Sequence, residues 1–348
     1  MIIRDLEFFS LAVSTAVSNV RSLIIRLVSH TGVEGWGEAV HVALRQDELL
    51  PLRNQLLPIL SGRNVFDIEE FVHLKLLPSE SIRCGLEMAC WDMMGRWCKQ
   101  PLCRLWGGGY RKHVPITAKL IGTNFDELIQ MSQELAHCGY YWQLLPLTGL
   151  LDYDIAVIRK LHETVRNRVE IRVDAGEKYE WNDSLKLLAE LEKCNVSIFI
   201  DPLREPSLKD VARMQGQTDI MLGVRLAIRS VRNVLDATHF GHISRLAFEP
   251  QRIGSLLEMK KCAIIAEAAD IQLVVNANDS VGPAFAAMAH FAASSLSAAL
   301  GLEYPVQFSE QNILKEPFYI SDGLFHLTSG EGLGIEIDRE KLEKYQSA

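Results

Sequence analysis

From Val114 onward the chain alternates short β-branched runs with amphipathic helical stretches, and this alternation restricts its fold more than any other feature. Strands are expected at Val114–Ile121, Tyr141–Leu147, Val169–Ala175, Val196–Leu203, Ile220–Leu226, Ile243–Glu249 and Ile271–Asn276, with a less strongly patterned eighth at Pro305–Phe308. Helical spacing occupies Phe125–Cys138, Tyr153–Val165, Asp183–Lys193 and Gly254–Ala269 between them. Strands joined through a helix run parallel, because only an antiparallel pair can be closed by a tight hairpin. Eight such units in roughly 200 residues fit an α/β fold of the closed (β/α) TIM type better than an open sheet. No strand leads into the glycine-rich dinucleotide fingerprint that would favour the open form.

The first third follows a different rule. Residues 2–10 alternate loosely, Ser22–Ser29 is rich in β-branched residues and leucine, and Thr31-Gly32 supplies a turn into Val33–Ala39. This is an antiparallel sheet. From Gln46 to about Trp106 the period becomes helical, with Phe66, Ile68, Phe71 and Val72 on one face and Leu86, Ala89, Cys90 and Met93 on another. Strands followed by helices predict an α+β capping domain over residues 1–110, before a barrel over 111–309.

Composition narrows the partners. A 348-residue chain with 48% hydrophobic residues has ample material for a large core, and its net charge of −8 with no basic cluster excludes a nucleic-acid track. Lys260-Lys261 reads as a solvated helix face. The seven cysteines show no C-x-x-C pair, as expected of reduced, mostly buried thiols in a cytoplasmic protein. Met1–Asp5 lacks signal-peptide organisation. Ala284–Leu300, rich in Ala and Ser and interrupted by His290, reads as a buried helix, so no membrane partner is expected.

Four stretches carry a resemblance: Gly35-Trp36-Gly37-Glu38, Gly85-Leu86-Glu87-Met88-Ala89-Cys90-Trp91-Asp92, Leu105-Trp106-Gly107-Gly108 and Arg172-Val173-Asp174-Ala175. Together they resemble the mandelate racemase/muconate lactonizing branch of the enolase superfamily. The resemblance implies a small-molecule ligand bearing a carboxylate, a homo-oligomer, and an isomerase or lyase if the chain is catalytic. It implies that the tail, 310–348, returns to the N-terminal domain. It also implies a magnesium ion held by three acids from the third, fourth and fifth barrel strands. That ion neutralises the substrate carboxylate and the enolate formed when a base removes the adjacent proton. The base is a lysine of a K-x-K pair on the second strand, or a late histidine.

Against that pattern Asp174 matches the first ligand, but the second falls on Ile200, with Asp201 one residue late, and the third on Val224. Gln143 and Leu145 stand where the lysine pair is sought, and glutamine takes up no proton at neutral pH. Glu249, five residues before Gly254, keeps a titratable group on the sixth strand, and Asn276 or Asn278 stands where a late histidine would. His113, His239 and His242 read as structural or exposed. Losing a divalent cation together with two carboxylates is nearly charge-neutral, but leaves Asp174 needing a partner, for which Lys119, Arg225 and Arg172 are candidates. Glu177 lies in a polar and aromatic loop beside the expected pocket, Asp279-Ser280 either lines it or caps the next helix, and Ser10–Asn19 takes the place of the family's pocket-closing loop or is an ordinary connection.

Three functions follow. The first works without a cofactor, with Glu249, Asp174 and Lys119 as acid, base and anchor and with Gln143, Glu177, Arg225, Asn276 and Asn278 as ligand contacts. The second is a non-catalytic binding or structural homologue. The third is a conventional magnesium enzyme with shifted ligands, Asp174 being joined by Asp201 or Glu177.

Overall fold

The structure is a computed structural model that describes residues 1–14, 19–73, 77–122, 124–277, 279–306 and 311–346. Strands β1 (Ile3–Ser14), β2 (Asn19–Ser29) and β3 (Glu34–Val40) form an antiparallel sheet in that order. Of the expected Ser10–Asn19 connection, Ser10 to Ser14 instead continues β1 and Asn19 opens β2, while residues 15–18 lie outside the described residues. Helices α1 (Gln46–Leu60), α2 (Ile68–Val72), α3 (Glu80–Cys98) and α4 (Leu102–Leu105) follow. Helix α3 lies directly on β3, and glycine makes that approach possible: a Cβ on Gly37 would sit 1.9 Å from the Gly85 carbonyl oxygen.

Eight parallel strands then close on themselves: β4 (His113–Lys119), β5 (Trp142–Pro146), β6 (Glu170–Asp174), β7 (Val196–Ile200), β8 (Met221–Val224), β9 (Arg245–Phe248), β10 (Gln272–Asn276) and β11 (Leu302–Tyr304). Leu302 pairs with Ile116 to shut the barrel. Helices α5 (Phe125–His137), α6 (Leu151–Val165), α7 (Trp181–Leu191), α8 (Leu208–Gln215), α9 (Val231–Thr238), α10 (Pro250–Ile253), α11 (Leu256–Ala268) and α12 (Pro283–Ser294) fill the crossovers. Side chains alternate across each strand. Leu144, Ile198, Ile200, Ala247 and Val274 form an apolar plug inside the barrel. Leu145, Val173, Phe199, Val224 and Phe248 belong to the larger core shared with the helices.

The eighth strand lies at Leu302–Tyr304, upstream of the expected Pro305–Phe308. Proline has no N–H to give a ladder, so the strand ends at Pro305; residues 307 and 308 lie outside the described residues. The remainder of the chain adds β12 (Ile320–Ser321) and β13 (Leu324–His326), which runs antiparallel to β4, and α13 (Arg339–Lys344). Gly332 bridges to Pro101, and the Ala12 N–H donates to the Tyr345 carbonyl.

Helix α12 is buried along its whole length, and among the described residues no helix is long and apolar enough to cross a membrane. Five of the cysteines are buried as expected, whereas Cys98 and Cys138 are exposed.

Candidate functional site

The acids inside the N-terminal resemblance motifs, Glu38, Glu87 and Asp92, are occupied with architecture. Glu38 accepts from the Ser22 hydroxyl (2.8 Å), the Ser280 hydroxyl (2.6 Å), Val281 N–H (2.8 Å) and Ala284 N–H (3.0 Å), tying the N-terminal sheet to the start of α12. Glu87 accepts from the N–H groups of Leu256 and Leu257 and from the Trp91 indole, which caps α11 from α3. Asp92 accepts from Trp36 N–H, Leu333 N–H and Arg96, joining β3, α3 and the tail. Burial pushes the Glu87 and Asp92 carboxyls upward, and these donors oppose it. A carboxylate so surrounded is spoken for.

The barrel mouth is built differently. Asp174 ends β6, Arg225 follows β8, Glu249 follows β9 and Glu303 lies on β11. Because Val224 turns outward into the helix-facing core, the next residue, Arg225, turns inward. Its guanidinium bridges the barrel, with Nη1 2.5 Å from Asp174 Oδ2 and Nη2 2.5 Å from Glu303 Oε2. The other Asp174 oxygen accepts from Gly176 N–H at 2.9 Å. Glu249 lies 3.9 Å from Arg225 Nε, too far for a hydrogen bond, and is ion-paired to Arg252. Burial works against the Arg225 charge, but Asp174, Glu303, Glu249 and Asp201 outweigh it and raise its pKa. Burial also pushes Glu303 upward, opposed by Arg225.

Among the described residues, three buried polar atoms here have no hydrogen-bond partner: Arg225 Nε, Glu303 Oε1 and Tyr304 Oη. Their residues line a chamber of about 20 Å³ together with Lys119, Leu144, Asn276, Asp279 and Pro305. That is room for one water. Above it opens a cleft of about 550 Å³ between Lys119, Leu120, Ile121, Gly122, Leu128, Pro146, Thr148, Leu150, Tyr153 and Asp279.

Several expected site residues stand elsewhere. Gln143 is fully buried and faces α5, where its side chain exchanges hydrogen bonds with Ser132 at 2.6 and 2.9 Å, so it is a packing residue and not a ligand contact. The strand alternation turns Leu144, not Gln143 or Leu145, into the barrel, and Pro146 lines the cleft. Arg172 lies deeper, stacked on Trp142 and bonded to Thr117 and the Leu300 carbonyl, and makes no contact with Asp174. Arg225 takes that part. Asp201 caps the following loop, accepting from Arg225 N–H (2.8 Å) and Leu226 N–H (3.2 Å). Burial, with Asp174 nearby, pushes its carboxyl up to about 7.

Glu177 adopts φ +60° and donates its N–H to the Asp201 carbonyl; burial raises its carboxyl, and it lines neither the cleft nor the chamber. Asn276 donates to Glu249 at 3.4 Å, and Asn278 lies outside the described residues. Ser280 caps α12 while Asp279 lines the cleft, so both offered roles occur, one on each residue. His113 packs on His326, and His239 and His242 are exposed. Glu303 and Tyr304 join the mouth from outside the set that the sequence pattern marks. The apolar-polar-apolar run Leu302-Glu303-Tyr304, halted by Pro305, is the signal that marks them. Among the described residues no group of three or more His, Cys, Asp or Glu is placed to hold a metal.

The chain matches two family models: "Mandelate racemase / muconate lactonizing enzyme, N-terminal domain" over residues 4–107 and "Enolase C-terminal domain-like" over residues 128–341. It is 25% identical to an N-succinyl-L-Arg/Lys racemase of Bacillus cereus, covering 94% of this chain and 90% of that protein. It is 22% identical to muconate cycloisomerase 1 of Rhodococcus opacus, over 95% of this chain and 92% of the relative. The crystal structure of the Bacillus cereus racemase superposes with a TM-score of 0.91 at 22% identity, over 100% of this chain and 99% of that one. Muconate cycloisomerase from Pseudomonas fluorescens gives 0.90 at 21%, with the same coverage.

Proposed function

The chain belongs to the mandelate racemase/muconate lactonizing enzyme family of the enolase superfamily, and on that premise we propose that it binds a small carboxylate-bearing molecule at the barrel mouth without magnesium-dependent proton abstraction. One observation carries this reading: the Arg225 guanidinium spans Asp174 and Glu303. Magnesium demands near-octahedral oxygen ligation. Here the ligand-type oxygen of Asp174 is taken by Arg225, Ile200 fills its inward position with hydrocarbon, and Asp201 is bonded to backbone N–H groups. The mouth residues therefore do not fit the ion, and a fixed organic cation stands in its stead.

Acid/base chemistry is curtailed with it. Asp174 is committed to Arg225. Glu249, the remaining candidate, is held by Arg252. Lys119, beside the cleft, is the anchor for a ligand carboxylate. Residues 1–110 with 310–348 form the capping domain of this reading and 111–309 the barrel.

Two measurements test it. Calorimetric titration with magnesium should give no binding heat; a tight isotherm that disappears in Asp174→Ala would restore a metal enzyme. In deuterium oxide, mandelates, muconates, dipeptides and sugar acids should gain no deuterium by mass spectrometry. Rapid incorporation lost in Glu249→Gln would show a working base.

A further inference from the structure

We propose that the pocket where α11 meets the end of α12 is a second ligand site, which takes a small aromatic monocarboxylate. The acid group sits against Lys260 and Ser295, and the ring against Trp106 and Tyr110. Lys260 and Lys261 read alike in the sequence, as a solvated helix face, but their surroundings differ. Lys261 pairs with Glu69 at 3.1 Å and with Glu258 at 2.9 Å. Lys260 is half-buried and touches neutral oxygens instead, the Ser294 carbonyl at 3.1 Å and the hydroxyls of Ser294 and Ser295 at 3.4 Å. Arg111 reaches the same helix end and donates to the carbonyls of Ala292, Ser295 and Leu296. Among the described residues no carboxylate lies within 4.0 Å of either cation.

Cations at a helix C-terminus offset its dipole, which is equivalent to about half an elementary negative charge. Two of them exceed it, so this end of α12 carries surplus positive charge. Burial lowers the pKa of both, as it does for charges short of a counter-charge. The buried Ser295 hydroxyl adds a donor, since it accepts from Lys260 and has no acceptor for its own proton among the described residues. Lys260 and Ser295 line a pocket of about 260 Å³ together with the rings of Trp106 and Tyr110. Drug-sized sites run to roughly 300–1,000 Å³, so this smaller one suits a single aromatic ring bearing a carboxylate. Glu267 also lines it, exposed and unpaired with Lys260, and disfavours a second negative charge on the ligand. Helix α12 starts just after Asp279 of the cleft and ends ahead of β11, so this pocket lies at the other end of the barrel from the mouth.

The indole N–H of Trp106 reports on the pocket in heteronuclear NMR spectra, its signal assigned by its loss in Trp106→Phe. Benzoate, benzamide, acetate and phthalate would be titrated into the full-length protein and into Lys260→Met, Tyr110→Ala and Lys119→Met. The variants' melting temperatures would report on folding. Benzoate should move the Trp106 signal saturably and bind at least ~10-fold tighter than benzamide, acetate or phthalate. Lys260→Met should cost at least ~10-fold in benzoate affinity. Tyr110 is 64% exposed, so Tyr110→Ala disturbs no core and should still weaken benzoate by ~3-fold or more. Lys119→Met should change nothing, because Lys119 belongs to the cleft. The second site is overturned if the Trp106 signal stays still, or if benzamide, acetate or phthalate matches benzoate. It is overturned equally if a folded Lys260→Met, or Tyr110→Ala, keeps full affinity. A response lost in Lys119→Met would move the ligand to the mouth, leaving the carboxylate reading there intact and this one refuted.

Discussion

Buried carboxylates occur in two regions of this molecule, and they are treated in opposite ways. At the junction around α3, Glu38, Glu87 and Asp92 receive donors mainly from the backbone of other elements, and each carboxylate ties distant segments together. At the barrel mouth, Asp174 and Glu303 are balanced by one guanidinium, three buried polar atoms lack partners among the described residues, and a cavity adjoins them. Buried polar groups in a purely structural setting are almost always satisfied. Incomplete satisfaction beside open space is what a binding site needs, because it leaves hydrogen bonds for a visitor to make. The N-terminal motifs thus hold the fold, while the motif that ends in Asp174-Ala175 reaches the mouth.

The sharpest way to break this comparison is to remove the shared cation. Arg225→Met should cost about 3–5 kcal/mol, since two carboxylates would remain buried without a counter-charge. Urea denaturation would measure it, and a loss below ~1 kcal/mol would mean that the mouth is not held by ion pairing. A smaller loss is expected on the architectural side. Glu38→Gln keeps the shape but removes the charge from four donors, and should destabilise by about 1.5–3 kcal/mol without altering ligand affinity. Weakened binding in that variant would blur the division between the regions.

A pH experiment probes the architecture again, through His290. Its Nδ1 accepts from Cys103 N–H and its Nε2 faces the Leu333 carbonyl, and burial lowers its pKa to about 4. Below its usual pKa of about 6.5 the unfolded chain binds a proton that the folded chain refuses. Its contribution is therefore full above about pH 6.5 and lost as pH falls toward 4, at about 1.4 kcal/mol per pH unit within that window. Denaturation midpoints at pH 7 and pH 5, compared with His290→Gln, would reveal it; an unchanged pH dependence in the variant counts against the assignment. The smallest effect is expected at Gln143. Gln143→Met should lose about 1 kcal/mol with its hydrogen bonds to α5 and leave ligand binding untouched. A loss of affinity would return Gln143 to the site.

The barrel was legible because strand-helix alternation is a periodic signal, and periodicity survives without any knowledge of neighbours. The absence of a second-strand lysine and the apolar residue at Ile200 were legible too, since they are statements about residue type. Which of two adjacent residues faces inward was not. The sequence pattern alone puts Gln143 and Val224 at mouth positions, and strand pleating turns both outward in favour of Leu144 and Arg225. A period of two makes a one-residue error in register a complete reversal of face. Glu303 was hidden behind the misplaced eighth strand for a related reason, because three residues carry little pattern. Asp174 was recognisable as an acid at a strand end, but its partner lies 51 residues away. The sequence by itself determined the elements, their order and the chemistry available. Only closure of the barrel decided which charges meet, because ion pairing depends on distances of a few ångströms that no spacing along the chain encodes.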